Sequence, residues 1–449
     1  MLAARALLLS LTCVSSLPLS VTSAETAANE GKHLGVASCA TSVCHGKSIS
    51  RGVDPCRPKK EEDVDLREAV VWQECDLHFA AFTRLRGGAQ NPLAQRIADN
   101  LGLASPWTQK LCLDCHSDNA YDGKDSVGKF RLSDGVGCEA CHGGSEHWID
   151  SHKDPKATHA ENLQRGMYPT EQPLKRAQLC LSCHLGTKDR FATHAILGAG
   201  HPRLAFELEV YTRLQPAHYV VDEAYIKRKG HIEGMNLWVT GQIESAERYL
   251  TLLQTDLAAK PGSIVPELAF YDCFGCHHAV EKTEHKRWSQ SRAGVGIRPG
   301  TVRLQRQNLL MLQAFTESLA PAELPDLKAD TDALVRAGQI DEPSVRAAAQ
   351  KLLGRLRADE GWSSRAYSIK DISSVRRTLL RYAADDKTSD FAAAEQVVLA
   401  LDSLSNSLND ADRHKSDLDV LYKGLGGADT FDPKQFAAVA KRLEGAFSP

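Results

Sequence analysis

Four pentapeptides of one form punctuate the chain: CLDCH (Cys112, Cys115, His116), CEACH (Cys138, Cys141, His142), CLSCH (Cys180, Cys183, His184) and CFGCH (Cys273, Cys276, His277). A fifth segment, ASCATSVCHG at 37–46, holds Cys39, Cys44 and His45 with four residues between its cysteines. The chain has 13 cysteines and 17 histidines in 449 residues, so chance would produce far fewer than one such pentapeptide. C-x-x-C-H is the attachment pattern of a c-type haem. The chemistry sets the spacing. Two thiols must reach the two vinyl groups on one porphyrin edge, and the next residue must bring its imidazole under the ring to bind iron. Four intervening residues do the same with a looser loop. The reading is five covalently bound c-type haems, with His45, His116, His142, His184 and His277 as proximal ligands. Paired C-x-x-C knuckles also build zinc sites. Zinc, however, has no need of a histidine directly after every second cysteine.

Each iron accepts a second axial ligand. Twelve histidines lie outside the motifs, whereas Met167, Met235 and Met311 are the only methionines after the first residue. Bis-histidine ligation is therefore expected, with potentials below those of His/Met cytochromes. The distal candidates are His78, His152 and His201, then His194, His218, His231 and His285. His147 is a weaker rival of His152. His278 abuts His277 and points elsewhere. His33, His159 and His414 read as solvated. Cys56 and Cys75 are left over from the motifs, and an oxidising compartment favours a disulfide between them. Its loop resembles the 15-residue case worth about 3 kcal/mol.

The elements that must position these groups are mainly α-helical. Residues 25–295 read as a loop-rich pentahaem domain with few strands, its loops rich in Gly, Asp and His. Helical stretches lie at Phe79–Arg86, Asn91–Leu101 and Gly234–Ala259, the last with Leu237, Val239, Ile243, Ala246, Leu250 and Leu253 near helical spacing. GVGIRPGT at 294–301 reads as a linker. Residues 300–449 then read as a helical bundle: Leu304, Leu309, Leu312, Phe315 and Leu319 share one face, Asp341 and Pro343 start a helix, Ser389 precedes another, and Asp432-Pro433 with Gln435 caps a last one. That length can bury a core of its own, either as a bundle packed on the haem domain or as a docking or dimerisation surface.

Residues 1–24 (Arg5, the apolar run Ala6–Leu19, then Thr22-Ser23-Ala24) read as a cleaved secretory signal peptide containing Cys13. No later stretch reaches the 18 or so apolar residues of a membrane helix. The expected location is the periplasm, where c-type haem is attached. A net charge of −3 argues against nucleic acid as a partner.

These residues resemble multihaem cytochromes of the cytochrome c-554 type, tetrahaem partners of hydroxylamine oxidoreductase. The resemblance runs from about His33 to Leu185. It is most specific at GVGCEACHGG, with a histidine ten residues past the motif histidine, and at CLSCHL. It implies His152 as a distal ligand, matches His78 to a histidine that follows a tryptophan (here Trp72), and implies an open, five-coordinate iron at Cys112, Cys115 and His116. Four departures stand out. The first site is wider, Gly144 stands where proline is usual, Trp72 to His78 is one residue longer, and the fifth motif and the C-terminal helices have no counterpart.

Two function classes follow. An electron carrier passes single electrons between redox protein partners along packed haems. A reductase of a small nitrogen or sulfur oxide would need one open iron with proton donors and cations nearby. Lys153, Arg203 and Tyr219 are candidates for that second role, and the KRK run at 227–229 reads as a solvated face. No catalytic residue is identified.

Overall fold

Where the sequence pairs cysteines, the backbone coils. Cys112–His116 ends the helix Lys110–His116, Cys138–His142 is itself a helix, and Cys180–His184 ends the helix Pro173–His184. In a helix, residues four apart lie on one face. The first cysteine and the histidine of each motif therefore share a face, which is the physical use of the C-x-x-C-H spacing. The outer two motifs use tighter turns: 3-10 segments at Val36–Ser38, just before Cys39, and at Cys273–Gly275.

The computed structural model describes residues 31–56, 66–87, 92–118, 126–258, 266–277, 302–358, 360–385, 387–427 and 430–447. The signal-peptide segment, the linker at 294–301, His278 and His285 lie outside them. The chain is mainly α-helical, with 60% helix and no sheet among the described residues. Among the described residues, three isolated bridges are the extent of β pairing: His33 with Ser126, Thr187 with Arg190, and Tyr271 with Leu304.

Helix termini follow the sequence signals. Asp432 accepts from the N–H groups of Lys434 and Gln435, with Pro433 in the first turn of Pro433–Leu443. Ser368 and Asp371 form a reciprocal capping box on Ile369–Ala384. The Phe391–Ser407 helix is capped by Asp390, one residue past Ser389, through the N–H of Ala393. Leu304 departs from the expected helical face. The helix begins at Gln307, and Leu304 lies in a bridge because Asp272 N donates to Arg303 O (2.7 Å) and Gln305 N to Phe270 O (3.0 Å).

The long helix Gly234–Leu252 organises the core. Its first turns bury Met235, Trp238 and Val239 in one cluster with Phe315, Leu379, Val397, Leu401 and Phe436 from the C-terminal helices. Its last turns bury Ala246 and Leu250 with Phe270, Leu309, Leu334 and Leu352. Gly241 allows the helix Leu208–Leu214 to cross closely, since a Cβ there would meet Leu208 Cβ at 2.6 Å. Buried amides thread the same interface. Asn308 donates to Gln242 (2.9 Å), Gln242 to Gln396 (3.3 Å), and Gln396 to the carbonyl of Phe206 (3.0 Å). Around the first four motifs the apolar clusters are small: Ala177, Leu181, Leu208 and Leu237 in one, Phe82, Leu85 and Leu113 in another. So little apolar side chain leaves room for macrocycles to complete that part of the core.

His33 and His414 are not solvated, as their sequence context suggested. His33 is buried against Asp118 (2.8 Å). His414 is buried and stacks on Phe447 with ring centroids 4.3 Å apart. His159 is largely buried too, its Nε2 2.8 Å from Glu171. Each is satisfied by a carboxylate, which is what allows a histidine to be withdrawn from water.

Candidate functional site

All five motif histidines stand in pairs with a second histidine. The ring centroids of His45 and His152 are 5.9 Å apart, those of His184 and His78 6.2 Å, His116 and His201 6.3 Å, His142 and His218 6.2 Å, and His277 and His194 6.3 Å. Two imidazoles on opposite sides of one iron require this spacing: about 2 Å per iron–nitrogen bond plus roughly 1 Å from nitrogen to ring centre on each side, about 6 Å in all. The residues present therefore fit c-type haem.

Ring orientation agrees. A metal-binding histidine usually donates its other ring N–H to a carboxylate or carbonyl, which fixes the ring and leaves one nitrogen for the metal. His45 Nδ1 is 3.0 Å from Glu68 Oε2, and His78 Nδ1 is 2.8 Å from Asp76 Oδ1. His116 Nδ1 donates to Ala81 O at 3.1 Å and His201 Nδ1 to Pro202 O at 2.8 Å. In each case Nε2 is the nitrogen left for iron. His159 and His231 instead point Nε2 at Glu171 and Glu233. Of the distal candidates, His78, His152, His201, His194 and His218 join pairs. Exposed His231, 3.5 Å from Glu233, does not, and neither does His147, beside Glu146.

Electrostatics divide the rings into two groups. Burial pushes His142 down to about 3 and His184 to about 4, and lowers His116, His152 and His218 as well. These rings are held neutral, the form that binds a metal. His45 and His78 are raised, because each hydrogen-bonds a carboxylate, Glu68 and Asp76 respectively.

The motifs also touch one another. Cys39 lies beside Cys138, and Cys115 beside Cys183. The attachment edges of the first and third sites thus adjoin, as do those of the second and fourth. Arg190 Nη1 lies 3.0 Å from Cys183 Sγ, and Phe206 stacks on His184 at 4.7 Å. At the fifth motif Glu267 accepts from the N–H of His194 (2.7 Å) and of Ala269 (3.0 Å), binding the helix His194–Gly198 to the segment that leads into Cys273.

One organising residue escaped sequence reasoning. Glu139, inside CEACH, is 3% exposed and accepts from the N–H of Leu34 (2.8 Å), Gly35 (2.7 Å) and Ser145 (2.9 Å), and from Ser145 Oγ (2.5 Å). It ties the third motif to the approach to the first. An acidic residue inside an otherwise buried motif was the available signal. The same contact region explains Gly144: a Cβ there would fall 1.7 Å from Gly31 O, so proline does not fit.

The other candidates take structural places. Cys56 and Cys75 form a disulfide with Cα atoms 5.6 Å apart. Met235 and Met311 are core residues packed with Trp238. Lys153 pairs with Asp150 (2.6 Å), Arg203 with Glu395 (2.5 Å), and Tyr219 stacks on Tyr225 (5.6 Å). Of the KRK run, Lys227 and Arg228 are exposed, but Lys229 folds over the Tyr225 ring at 5.3 Å. A zinc site would need ligands converging on one point, and no group of three or more His, Cys, Asp or Glu does so among the described residues.

Paired imidazoles over cysteine pairs, repeated along a helical scaffold, define the class: a multihaem c-type cytochrome. Residues 65–143 match the family model Cytochrome c554 and c-prime. That stretch holds His78 and the second and third motifs; the first, fourth and fifth lie outside it. The match implies c-type haems, electron transport and redox partners. No curated protein and no solved structure matches the chain. Among the described residues, no helix is long and apolar enough to cross a membrane.

Proposed function

We propose that the protein is a pentahaem c-type cytochrome of the periplasm, its signal peptide cleaved near Ala24, that carries single electrons between redox protein partners. The observation that carries this reading is the set of five histidine pairs at 5.9–6.3 Å. Bound haem supplies a one-electron couple whose potential is set by its axial ligands and surroundings. The chain's own work is placement and tuning. Ten cysteines would hold the macrocycle edges, the five histidine pairs would supply the iron ligands, and the neighbouring positions of Cys39 and Cys138 and of Cys115 and Cys183 would bring those attachment edges close together. Glu68 and Asp76 strengthen the basicity of His45 and His78, which favours the oxidised state at those two sites.

A reductase requires an open iron and unengaged cations. Here Lys153 and Arg203 are already in ion pairs, and the site where the family resemblance implies an open iron, at His116, has His201 beside it. The deciding experiment is electron paramagnetic resonance of the oxidised, haem-loaded protein, integrated against a covalent haem count. Five haems, all low-spin, are expected. A stoichiometric high-spin signal would overturn the carrier reading in favour of an enzyme.

A further inference from the structure

We infer that the C-terminal helices form part of the fifth haem site, locked to its motif by a buried Asp272–Arg303–Asp390 relay, rather than being a separate docking module. The inference rests on the five-haem reading above.

Three observations converge. First, the motif itself penetrates the bundle. Phe274 of CFGCH is buried in the core that contains Leu401 and Phe436, with its ring 5.6 Å from Phe431. Second, Arg303 is 2% exposed and joins two helix caps. Its Nη2 lies 2.6 Å from Asp390 Oδ2 and 3.6 Å from Asp272 Oδ2. Asp390 caps the Phe391–Ser407 helix, and Asp272 caps the Cys273–Gly275 turn, accepting from Phe274 N at 3.0 Å. Arginine stays charged even when buried, so withdrawing it from water demands such partners. A rim contact between separable modules would leave these groups wet. Third, a cleft of about 110 Å³ is lined by His184 and Cys273 together with Gln305, Asn308, Ala392 and Gln396. One wall of the space beside the fifth attachment point thus belongs to the C-terminal helices. Gln305 holds that wall in place, its amide donating to Ala269 O (2.9 Å) and Tyr271 O (3.2 Å).

The relay is a positioning device with an electrostatic signature. Asp272 precedes Cys273 directly, so charge changes in the relay reach the fifth haem before any other.

The test uses the full-length haem-loaded protein, with Arg303→Met, Asp390→Asn, and Arg376→Met as a control. Arg376 is also buried and ion-paired, to Asp410 at 2.6 Å, but lies away from every motif contact described above. Covalent haem is counted by absorbance and intact mass, free thiols are mapped by alkylation, and potentials are followed by redox titration. The fifth haem is identified by its loss in Cys273→Ser/Cys276→Ser. We expect five haems with unchanged potentials in Arg376→Met. We expect four in Arg303→Met, with free thiols at Cys273 and Cys276, or five with the fifth potential lowered, because a positive charge has been removed. Asp390→Asn keeps the cap, since asparagine also caps helices, and should raise the fifth potential alone; it answers the question if Arg303→Met does not accumulate. Five haems with five unaltered potentials in both relay variants would overturn the inference. A wild-type chain with unmodified Cys273 and Cys276 would overturn the five-haem reading and the inference with it.

Discussion

His201 stands 6.3 Å from His116, centroid to centroid, with the ring planes at 84°. It comes from a short loop after the helix His194–Gly198, where Gly200 takes φ +113° and His201 Nδ1 donates to the next carbonyl. This loop lies beyond the stretch that resembles the cytochrome c-554 type. The chain therefore brings beside His116 a second imidazole that the resemblance alone does not supply.

His201→Ala should convert one iron in five from low-spin to high-spin and let the reduced protein bind carbon monoxide at that iron. Added imidazole should restore the low-spin spectrum. Unchanged spin counts would mean that His201 is not a ligand.

Glu139→Ala should disturb two sites at once. It strands the N–H groups of Leu34, Gly35 and Ser145, and a stranded buried donor costs about 1–3 kcal/mol. The thermal midpoint should fall, and covalent haem should drop at Cys39/Cys44 as well as at Cys138/Cys141. Glu139→Gln keeps an acceptor oxygen and should lose less. Haem loss confined to the third site would show that Glu139 does not position the first.

Glu207 provides a pH-dependent prediction. It is 2% exposed and accepts from the N–H groups of Glu209 and Val210, yet burial raises its pKa to about 8. An acid whose folded pKa exceeds its unfolded value binds protons more tightly when folded. Its contribution is complete below the unfolded pKa of 4.5 and is lost as pH rises toward 8, a loss on the order of a few kcal/mol. Thermal midpoints should fall between pH 5 and 8. Glu207→Gln should flatten the slope, and a slope equal to that of the wild type would assign the effect to another group.

The sequence by itself determined where attachment chemistry is possible, because covalent haem binding is local: two thiols and an imidazole must lie within one or two turns of chain, and five short motifs have that form. It also determined the helical class, through apolar spacing, and several helix starts, such as Asp432-Pro433 and Asp341, whose side chain takes the N–H of Ser344 at 2.9 Å. Spacing could not determine the second ligands, since a distal histidine needs only to arrive in space. His152 stands by His45 and His78 by His184, so the paired rings come from positions more than 100 residues apart. Nor could histidine identity separate His201 from His231. The difference is whether Nδ1 or Nε2 is already engaged, and that depends on which carbonyl or carboxylate the fold brings alongside. The place of the C-terminal helices was hidden for the same reason. Their apolar periodicity announces a core, but only the tertiary structure shows Met235, Trp238 and Phe274 inside it, because burial is a property of packed surfaces and not of any one segment.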